Sequence, residues 1–354
     1  MSGRSGRTYG IFAAILAVCI VTGVLHFADA EPVAVFLLAA ASLAGLAWAI
    51  GVATEAVGSR FGPGLTGLLQ STLGNLPELF VVLFALSAGE IVVAQTSILG
   101  SLFANALLVL GLAIVAGSFS ATDGVMRFRS KLPNDTATLL LLAVFIIVLL
   151  GLSNTVGDRA SKHAVEISAV GAVCLLVVYA FWLWGYLRGD QQEPALEEGA
   201  HAPFSFRTGI AVLAVAGVGA ALVSDWFVAA LDPAVKALGI SKAFTGLVIV
   251  AIAGNAVENL VGITLAAKGR SDLAISVIKN SVAQIAVFLF PALVLLSLFF
   301  ENRLTFVLAP VYIGALAVTA IAVWQITGDG EAVAFEGWAL VAIYIVLAVL
   351  TFYE

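Results

Sequence analysis

The chain has 354 residues, of which 62% are hydrophobic and only 11% are charged, and its formal net charge is −6. Its mean hydropathy is +1.11. This composition excludes a soluble domain, gives no reason to expect a nucleic-acid partner, and predicts an all-α polytopic membrane protein surrounded by the lipid bilayer.

Apolar runs of about 20 residues, the length that a spanning helix needs, occur eleven times along the chain. The first follows Arg4 and Arg7, as the core of a signal peptide would, but it is long and no clear small-residue cleavage site follows it. We therefore predict that it is a helix of the protein. The eleven predicted transmembrane helices cover residues 9–28, 33–57, 64–88, 91–117, 135–153, 164–187, 208–230, 241–267, 272–300, 304–326 and 335–353.

The lysines and arginines between these helices are unevenly distributed, and this sets the predicted orientation. With a cytoplasmic N-terminus, ten fall on the cytoplasmic side and five on the external side. The pattern predicts a multi-pass protein of the cell membrane and, because eleven is odd, an external C-terminus. The ten are Arg4, Arg7, Arg60, Arg127, Arg129, Lys131, Arg188, Arg207, Lys268 and Arg270; the five are Arg159, Lys162, Lys236, Lys242 and Arg303.

An acidic segment between Arg188 and Arg207 divides the chain into two halves. We predict a solvated cytoplasmic linker, with a weak role in gathering cations as the alternative. Each half has five helices, and because five is odd the halves insert with opposite orientation, which is typical of inverted-repeat transporters. The predicted organisation is an N-terminal segment with one leading helix (residues 1–30), a first five-helix repeat (31–188), the linker (189–207) and a second five-helix repeat (208–354).

One pentapeptide occurs in both halves, as Gly-Asn-Leu-Pro-Glu at residues 74–78 and as Gly-Asn-Ala-Val-Glu at 254–258, 180 residues later. Both copies lie inside apolar runs. A carboxylate at membrane depth costs about 2.5–3.5 kcal/mol on insertion scales, and such residues usually mark a functional site with a partner. We therefore predict that Glu78 and Glu258 are each other's partners.

The residues around each Glu are suited to binding a cation. Gly74, Pro77 and Gly254 weaken a helix, and loosened backbone at membrane depth is tolerated only where it is buried or lines a cavity. The freed carbonyls, the amide oxygens of Asn75 and Asn255 and the two carboxylates would form an all-oxygen cage, the kind of ligand set that calcium prefers.

The helix after each pentapeptide adds further polar residues. Ser101 and Ser281 both lie 27 residues after the glycine, and Ser97, Ser101 and Asn105 share one helix face. The alternative interpretation is ordinary hydrogen bonding between membrane helices by small polar residues. The full set is Gln95, Ser97, Ser101 and Asn105 in the first half, and Ser276, Asn280, Ser281 and Gln284 in the second.

These motifs resemble the two alpha-repeats of the calcium/cation antiporter superfamily, and the closest branch is that of the cation/proton exchangers. The resemblance implies that Glu78 and Glu258 hold calcium and also take up protons, with Asn75, Asn255 and nearby backbone carbonyls completing the site. It also makes Glu55 and Asp225 secondary candidates near the cytoplasmic and external approaches. The matching segments are Gly74-Asn75-x-x-Glu78 with Gln95 and Leu99-Gly100-Ser101-x-x-x-Asn105, and Gly254-Asn255-Ala256-x-Glu258 with Ser281-x-x-Gln284.

Three features, involving four residues, depart from the proton-exchanger pattern. Pro77 before Glu78 is more like the sodium/calcium exchanger branch, and Asn259 stands where proton exchangers often have His. Lys279 and Asn280 replace an apolar residue and Gly. The side chain of Lys279 either reaches the membrane interface or points at the cage and neutralises one carboxylate.

The leading functional hypothesis is calcium/proton antiport by alternating access without a cofactor, calcium and protons being the substrates. A sodium or potassium/proton antiporter, or a sodium/calcium antiporter, is the alternative, which a neutralising Lys279 would favour. An intramembrane enzyme is disfavoured because the chain lacks His-Glu-x-x-His and Gly-x-Ser-x-Gly motifs. A channel is disfavoured because paired inverted Glu sites fit alternating access better.

Overall fold

The computed structural model describes residues 2–58, 72–188 and 205–354, with the backbone alone for residues 2–7, 187, 257 and 258. This part of the chain is helical apart from connecting segments and two short strands. The helices are α1 (Ser2–Phe27), α2 (Pro32–Gly58), α3 (Leu76–Ser87), α4 (Ile91–Ser120), α5 (Lys131–Val156), α6 (Ala164–Arg188), α7 (Phe206–Leu238), α8 (Lys242–Gly254), α9 (Ala256–Ala267), α10 (Ser271–Ser297), α11 (Pro310–Thr327) and α12 (Ala334–Phe352).

The helices confirm an all-helical, multi-pass membrane architecture. Nine helices in the described part are long and apolar enough to cross a bilayer, and α8 with α9 forms a bent tenth. The predicted span 64–88 begins outside the described residues, and its described part contains α3, an apolar helix of 12 residues. The predicted count of eleven therefore stays a prediction, as does the linker 189–207, most of which lies outside the described residues.

Contacts between connecting segments define two opposite faces of the bundle. On the C-terminal face, Lys242 at the start of α8 lies 2.7 Å from a Glu90 carboxylate oxygen, and Asn302 donates a hydrogen bond to the Leu86 carbonyl. This face carries residues 28–31, 88–90, 157–163, 239–241, 298–309 and 353–354.

The N-terminal face carries residues 121–130, 268–270 and 328–333, and the two strands lie here. Strand β1 (Val125–Arg127) pairs antiparallel with β2 (Glu331–Val333), so that Met126 faces Ala332. Arg127 forms ion pairs with Asp123 and Glu331, and its guanidinium holds the pKa of the Asp123 carboxyl below its ordinary value. The strand pairing and the Arg127–Glu331 ion pair thus connect the segment after α4 with the segment before α12.

Among the described residues, the most extensive packing between two helices is that of α2 against α7, which run antiparallel. Phe36 near the start of α2 stacks on Phe227 towards the end of α7, with ring centroids 4.7 Å apart. At the other end, a Cβ on Gly209 would lie 3.1 Å from the Val57 side chain. The leading helix α1 lies on the outside of this pair and is mostly exposed, as expected for a helix additional to two repeats.

Candidate cation-binding site

Both pentapeptides interrupt a helix at their asparagine. Residues 72–74 are helical, Asn75 leaves the helix with φ −83° and ψ 4°, and α3 begins at Leu76. Asn255 has φ −107° and ψ 14°, and the helices on either side of it are inclined by 61°. Pro77 falls in the first turn of α3, where its missing N–H is not needed. The predicted loosening of the backbone before each Glu is therefore observed.

These interruptions place each glutamate in the first turn of a new helix. Glu78 lies in the first turn of α3, and Glu258 is the third residue of α9. The first backbone N–H groups of a helix carry partial positive charge, which favours an ionised carboxylate nearby. The side chain of Glu258 lies outside the described residues, so its predicted pairing with Glu78 stays a prediction.

Glu78 is buried against the second pentapeptide. Only 1% of its surface is exposed, and a Cβ built on Gly254 would lie 3.8 Å from the Glu78 Cβ. Glu78 of the first half therefore lies within van der Waals reach of a side-chain atom at position 254. The two motifs, 180 residues apart in the chain, meet at this point.

Asn255 is held by residues of α4. Its amide nitrogen donates a hydrogen bond of 2.7 Å to the Ser101 hydroxyl and another to the Ala251 carbonyl. Its amide oxygen accepts a hydrogen bond of 3.4 Å from Asn105, which also bonds to the Ser101 carbonyl. The predicted shared face of Ser101 and Asn105 thus points at the second pentapeptide.

The corresponding region of the second half is equally buried. Ser281 and Gln284 of α10 are 1% and 4% exposed, and Asn75 of the first half is 3% exposed. The Asn75 amide nitrogen and the Asn105 amide oxygen have no hydrogen-bond partner among the described residues. Buried amide groups are normally paired, and the unpaired carboxamide oxygen of Asn105, whose amide nitrogen contacts Asn255, suits a hard cation.

Glycines allow α4 and α8 to cross with their backbones in contact. A Cβ on Gly100 would lie 2.3 Å from the Leu247 carbonyl oxygen, and one on Gly246 would lie 2.1 Å from the Thr96 hydroxyl. Small residues commonly permit such close crossings in membranes. This crossing brings Ser101 within reach of Asn255. Gly246 was not singled out from the sequence, although it lies only eight residues before Gly254.

Three π-helical segments adjoin the site and were not predicted. They are Ala104–Val109 in α4, Thr245–Val250 in α8 and Ile285–Leu289 in α10. The first contains Asn105, and the third follows Gln284 directly. The wider turn of a π-helix changes the direction of the side chains that follow, and such turns are frequent at functional sites.

Four residues predicted as secondary candidates have contacts or positions outside the two pentapeptides. The Gln95 amide donates to the Val307 carbonyl on the C-terminal face, and the Lys279 amine lies 3.3 Å from the Thr327 hydroxyl at the end of α11. Glu55 is half-buried in the last turn of α2, and Asp225 is exposed on α7. Lys279 is only 1% exposed, and its contact is with the last residue of α11. Because the Glu258 side chain lies outside the described residues, both predicted directions of the Lys279 amine stay predictions.

Comparisons with known proteins agree with these motifs. The family model described as sodium/calcium exchanger protein matches residues 31–187 and 208–353. The chain is 30% identical over 347 residues to the "Ca(2+)/H(+) antiporter" of Aphanothece halophytica, covering 93% of this chain and 92% of that protein. It is 33% identical over 336 residues to the "Vacuolar calcium ion transporter" of Schizosaccharomyces pombe, covering 90% and 79%. The solved structure of native YfkE superimposes with a TM-score of 0.82 at 26% identity, covering 97% of this chain and 100% of that one.

The Gly100 crossing gives a prediction about stability. Gly100→Ala places a methyl group against the Leu247 backbone and should lower the melting temperature of the purified protein in detergent by several degrees, since overpacking costs about 1–3 kcal/mol. Gly217→Ala on α7 is the matched control, because a Cβ there meets nothing within 4 Å. An unchanged melting temperature for Gly100→Ala would show that the two backbones do not touch.

Proposed function

The chain belongs to the sodium/calcium exchanger protein family, and on that premise we propose that it exchanges calcium for protons across a membrane by alternating access. The relatives named calcium/proton antiporters support this exchange over nearly the whole chain. The observation that carries the site assignment is the burial of Glu78 against Gly254 of the second pentapeptide. No activity as an enzyme is proposed.

In the proposed mechanism, Glu78 and Glu258 bind either one calcium ion or protons. Two nearby carboxylates repel each other when both are ionised, so the pair keeps a proton more readily than an isolated carboxyl group does. A divalent ion removes this repulsion and displaces the proton. Because both substrates need the same oxygens, the two fluxes are coupled directly, without ATP.

The remaining proposed ligands follow from the two helix interruptions. The backbone carbonyls near Gly74 and Gly254 and the amides of Asn75 and Asn255 would complete the coordination of calcium. The hydroxyls of Ser101 and Ser281 are proposed as further ligands of the same site. Asn105 and Gln284 complete the polar lining, and Asn105 already orients Asn255 through the 3.4 Å hydrogen bond.

Glu55 and Asp225 are proposed as residues of the two approaches to the site. Glu55 lies in the last turn of α2, close to the N-terminal face. Asp225 precedes Trp226, whose ring stacks on His26 near the end of α1 at the C-terminal face. These positions agree with one acidic residue towards each side of the membrane.

The monovalent alternative needs the Lys279 amine to neutralise one carboxylate of the cage. The amine contacts Thr327, the last residue of α11, and the side chain of Glu258 lies outside the described residues, so this alternative stays a prediction. The relatives named calcium/proton antiporters support calcium as the proposed cation.

We propose a location in the cell membrane, with the N-terminal face in the cytoplasm. The excess of lysine and arginine in the segments of that face supports this orientation. Related exchangers include proteins named as vacuolar, so the family itself occurs in more than one membrane.

The function predicts that Glu78→Gln and Glu258→Gln each abolish calcium-driven proton movement in proteoliposomes. Each variant leaves a single carboxylate, which is too little negative charge to replace the hydration shell of a divalent ion. Glu166→Gln on the exposed start of α6 is the control and should transport normally. Substantial transport by either site variant, at equal amounts of inserted protein, would overturn the site assignment.

The orientation predicts which face an impermeant thiol reagent reaches in intact cells. With Cys19 and Cys174 replaced, a cysteine at Glu301 on the C-terminal face should be labelled, and a cysteine at Asp329 on the N-terminal face should be labelled only after permeabilisation. Both native residues are exposed. The opposite pattern would reverse the orientation, and equal labelling of both would contradict the two faces.

A further inference from the structure

One tyrosine of α6 is buried against the second half of the chain. Ala172, Leu175 and Tyr179 recur at helical spacing and are all buried. Tyr179 is only 5% exposed, whereas the flanking Val178 and Ala180 are exposed. One side of α6 therefore faces the bundle at this level, and Tyr179 is the residue that it presents there. None of the ligands proposed above comes from α6.

The ring of Tyr179 packs against two other aromatic rings. Its centroid lies 5.7 Å from that of Trp182, three residues later on α6, and 5.6 Å from that of Phe288 in the π-helical segment of α10. Trp182 in turn stacks on Tyr186 at 5.4 Å. Aromatic pairs at such distances are favourable beyond the area that they bury. Contacts with two rings therefore restrict where the Tyr179 hydroxyl can lie.

The Tyr179 hydroxyl lies beside the side-chain amide of Gln284, near enough to interact with it. Among the described residues, neither this hydroxyl nor the Gln284 amide oxygen has a hydrogen-bond partner of normal geometry. Gln284 is 4% exposed, so both groups are buried. Buried polar groups are normally paired. A hydroxyl and an amide can each donate and accept, so the two groups can form a hydrogen bond in either direction.

A second buried tyrosine lacks such an amide. The 180-residue offset of the pentapeptides places Ala104 opposite Gln284, and alanine has no polar side-chain group. Helix α12 packs against the π-helical segment of α4, which begins at Ala104, as α6 packs against that of α10. Tyr344 of α12 is 4% exposed, and its hydroxyl also has no partner among the described residues. Tyr344 therefore provides a comparison for the loss of a buried hydroxyl.

We propose that Tyr179 is a positioning residue for calcium binding and acts through Gln284. In the empty protein, its hydroxyl donates a hydrogen bond to the Gln284 amide oxygen. When calcium binds, that oxygen turns to the ion and the amide nitrogen donates to the hydroxyl instead. A phenolic hydroxyl can do both, so the buried amide keeps a partner in both states. This inference rests on the proposed function, because it requires calcium at the site that Gln284 lines.

The test is a double-mutant cycle on calcium binding to the purified protein. Tyr179→Phe removes only the hydroxyl and should weaken calcium binding about three- to tenfold, the equivalent of one hydrogen bond. In a Gln284→Leu background the same change should alter the affinity by less than about twofold, because the amide is gone. Tyr344→Phe is the matched control and should leave the affinity unchanged in both backgrounds.

Two results overturn the proposal: equal weakening by Tyr179→Phe in both backgrounds, or no weakening in the native background. Melting temperatures without calcium give a second readout, which decides the matter if Gln284→Leu abolishes binding. The two substitutions should lower the melting temperature by less together than the sum of their separate effects. Such non-additivity in a protein that binds no calcium would retain the Tyr179–Gln284 pair and reject the proposed function, whereas additive effects would reject the pair.

Discussion

An ionised carboxylate at membrane depth must have its charge compensated, and the structure around Glu78 is arranged to do this. The helix is interrupted at Asn75, so that Glu78 lies in the first turn of a new helix, near the partial positive charge of its N-terminus. The neighbouring backbone is that of Gly254, which begins the matching interruption in the other half. In the proposed mechanism, a cation or a proton supplies the compensation that these fixed groups leave incomplete. The cost of burying the charge would then favour the binding of either substrate.

The same arrangement explains why neither half can form the site alone. Asn255 takes its orientation from Ser101 and Asn105 in the first half, and Glu78 packs against the second. The close crossing at Gly100 and Leu247 holds these parts in register. A movement of one repeat against the other would therefore change the surroundings of Glu78 and Asn255 together. This gives a physical route by which binding of a substrate is coupled to the opening of one face or the other.

The sequence predicted the fold and the helix interruptions well, because both depend on strong local signals. Long apolar runs predicted the helices closely, and Gly and Pro beside Asn75 predicted where the backbone would loosen. The π-helical turn at Asn105 was not predictable, since such a turn has no periodic pattern of its own. Gln95 and Lys279 show a second limit. A sequence indicates which face of a helix a residue occupies, but the partners Val307 and Thr327 come from segments whose positions only the packed bundle determines.

The most direct test of competition at one shared site is to measure the protons released when calcium binds to the purified protein. Calcium can be titrated into weakly buffered detergent solution with a pH indicator, at several starting pH values. If calcium and protons compete for Glu78 and Glu258, binding releases protons, and the apparent affinity for calcium rises with pH until the pair is fully ionised. Calcium binding that releases no protons at any pH, with an affinity independent of pH, would contradict the account.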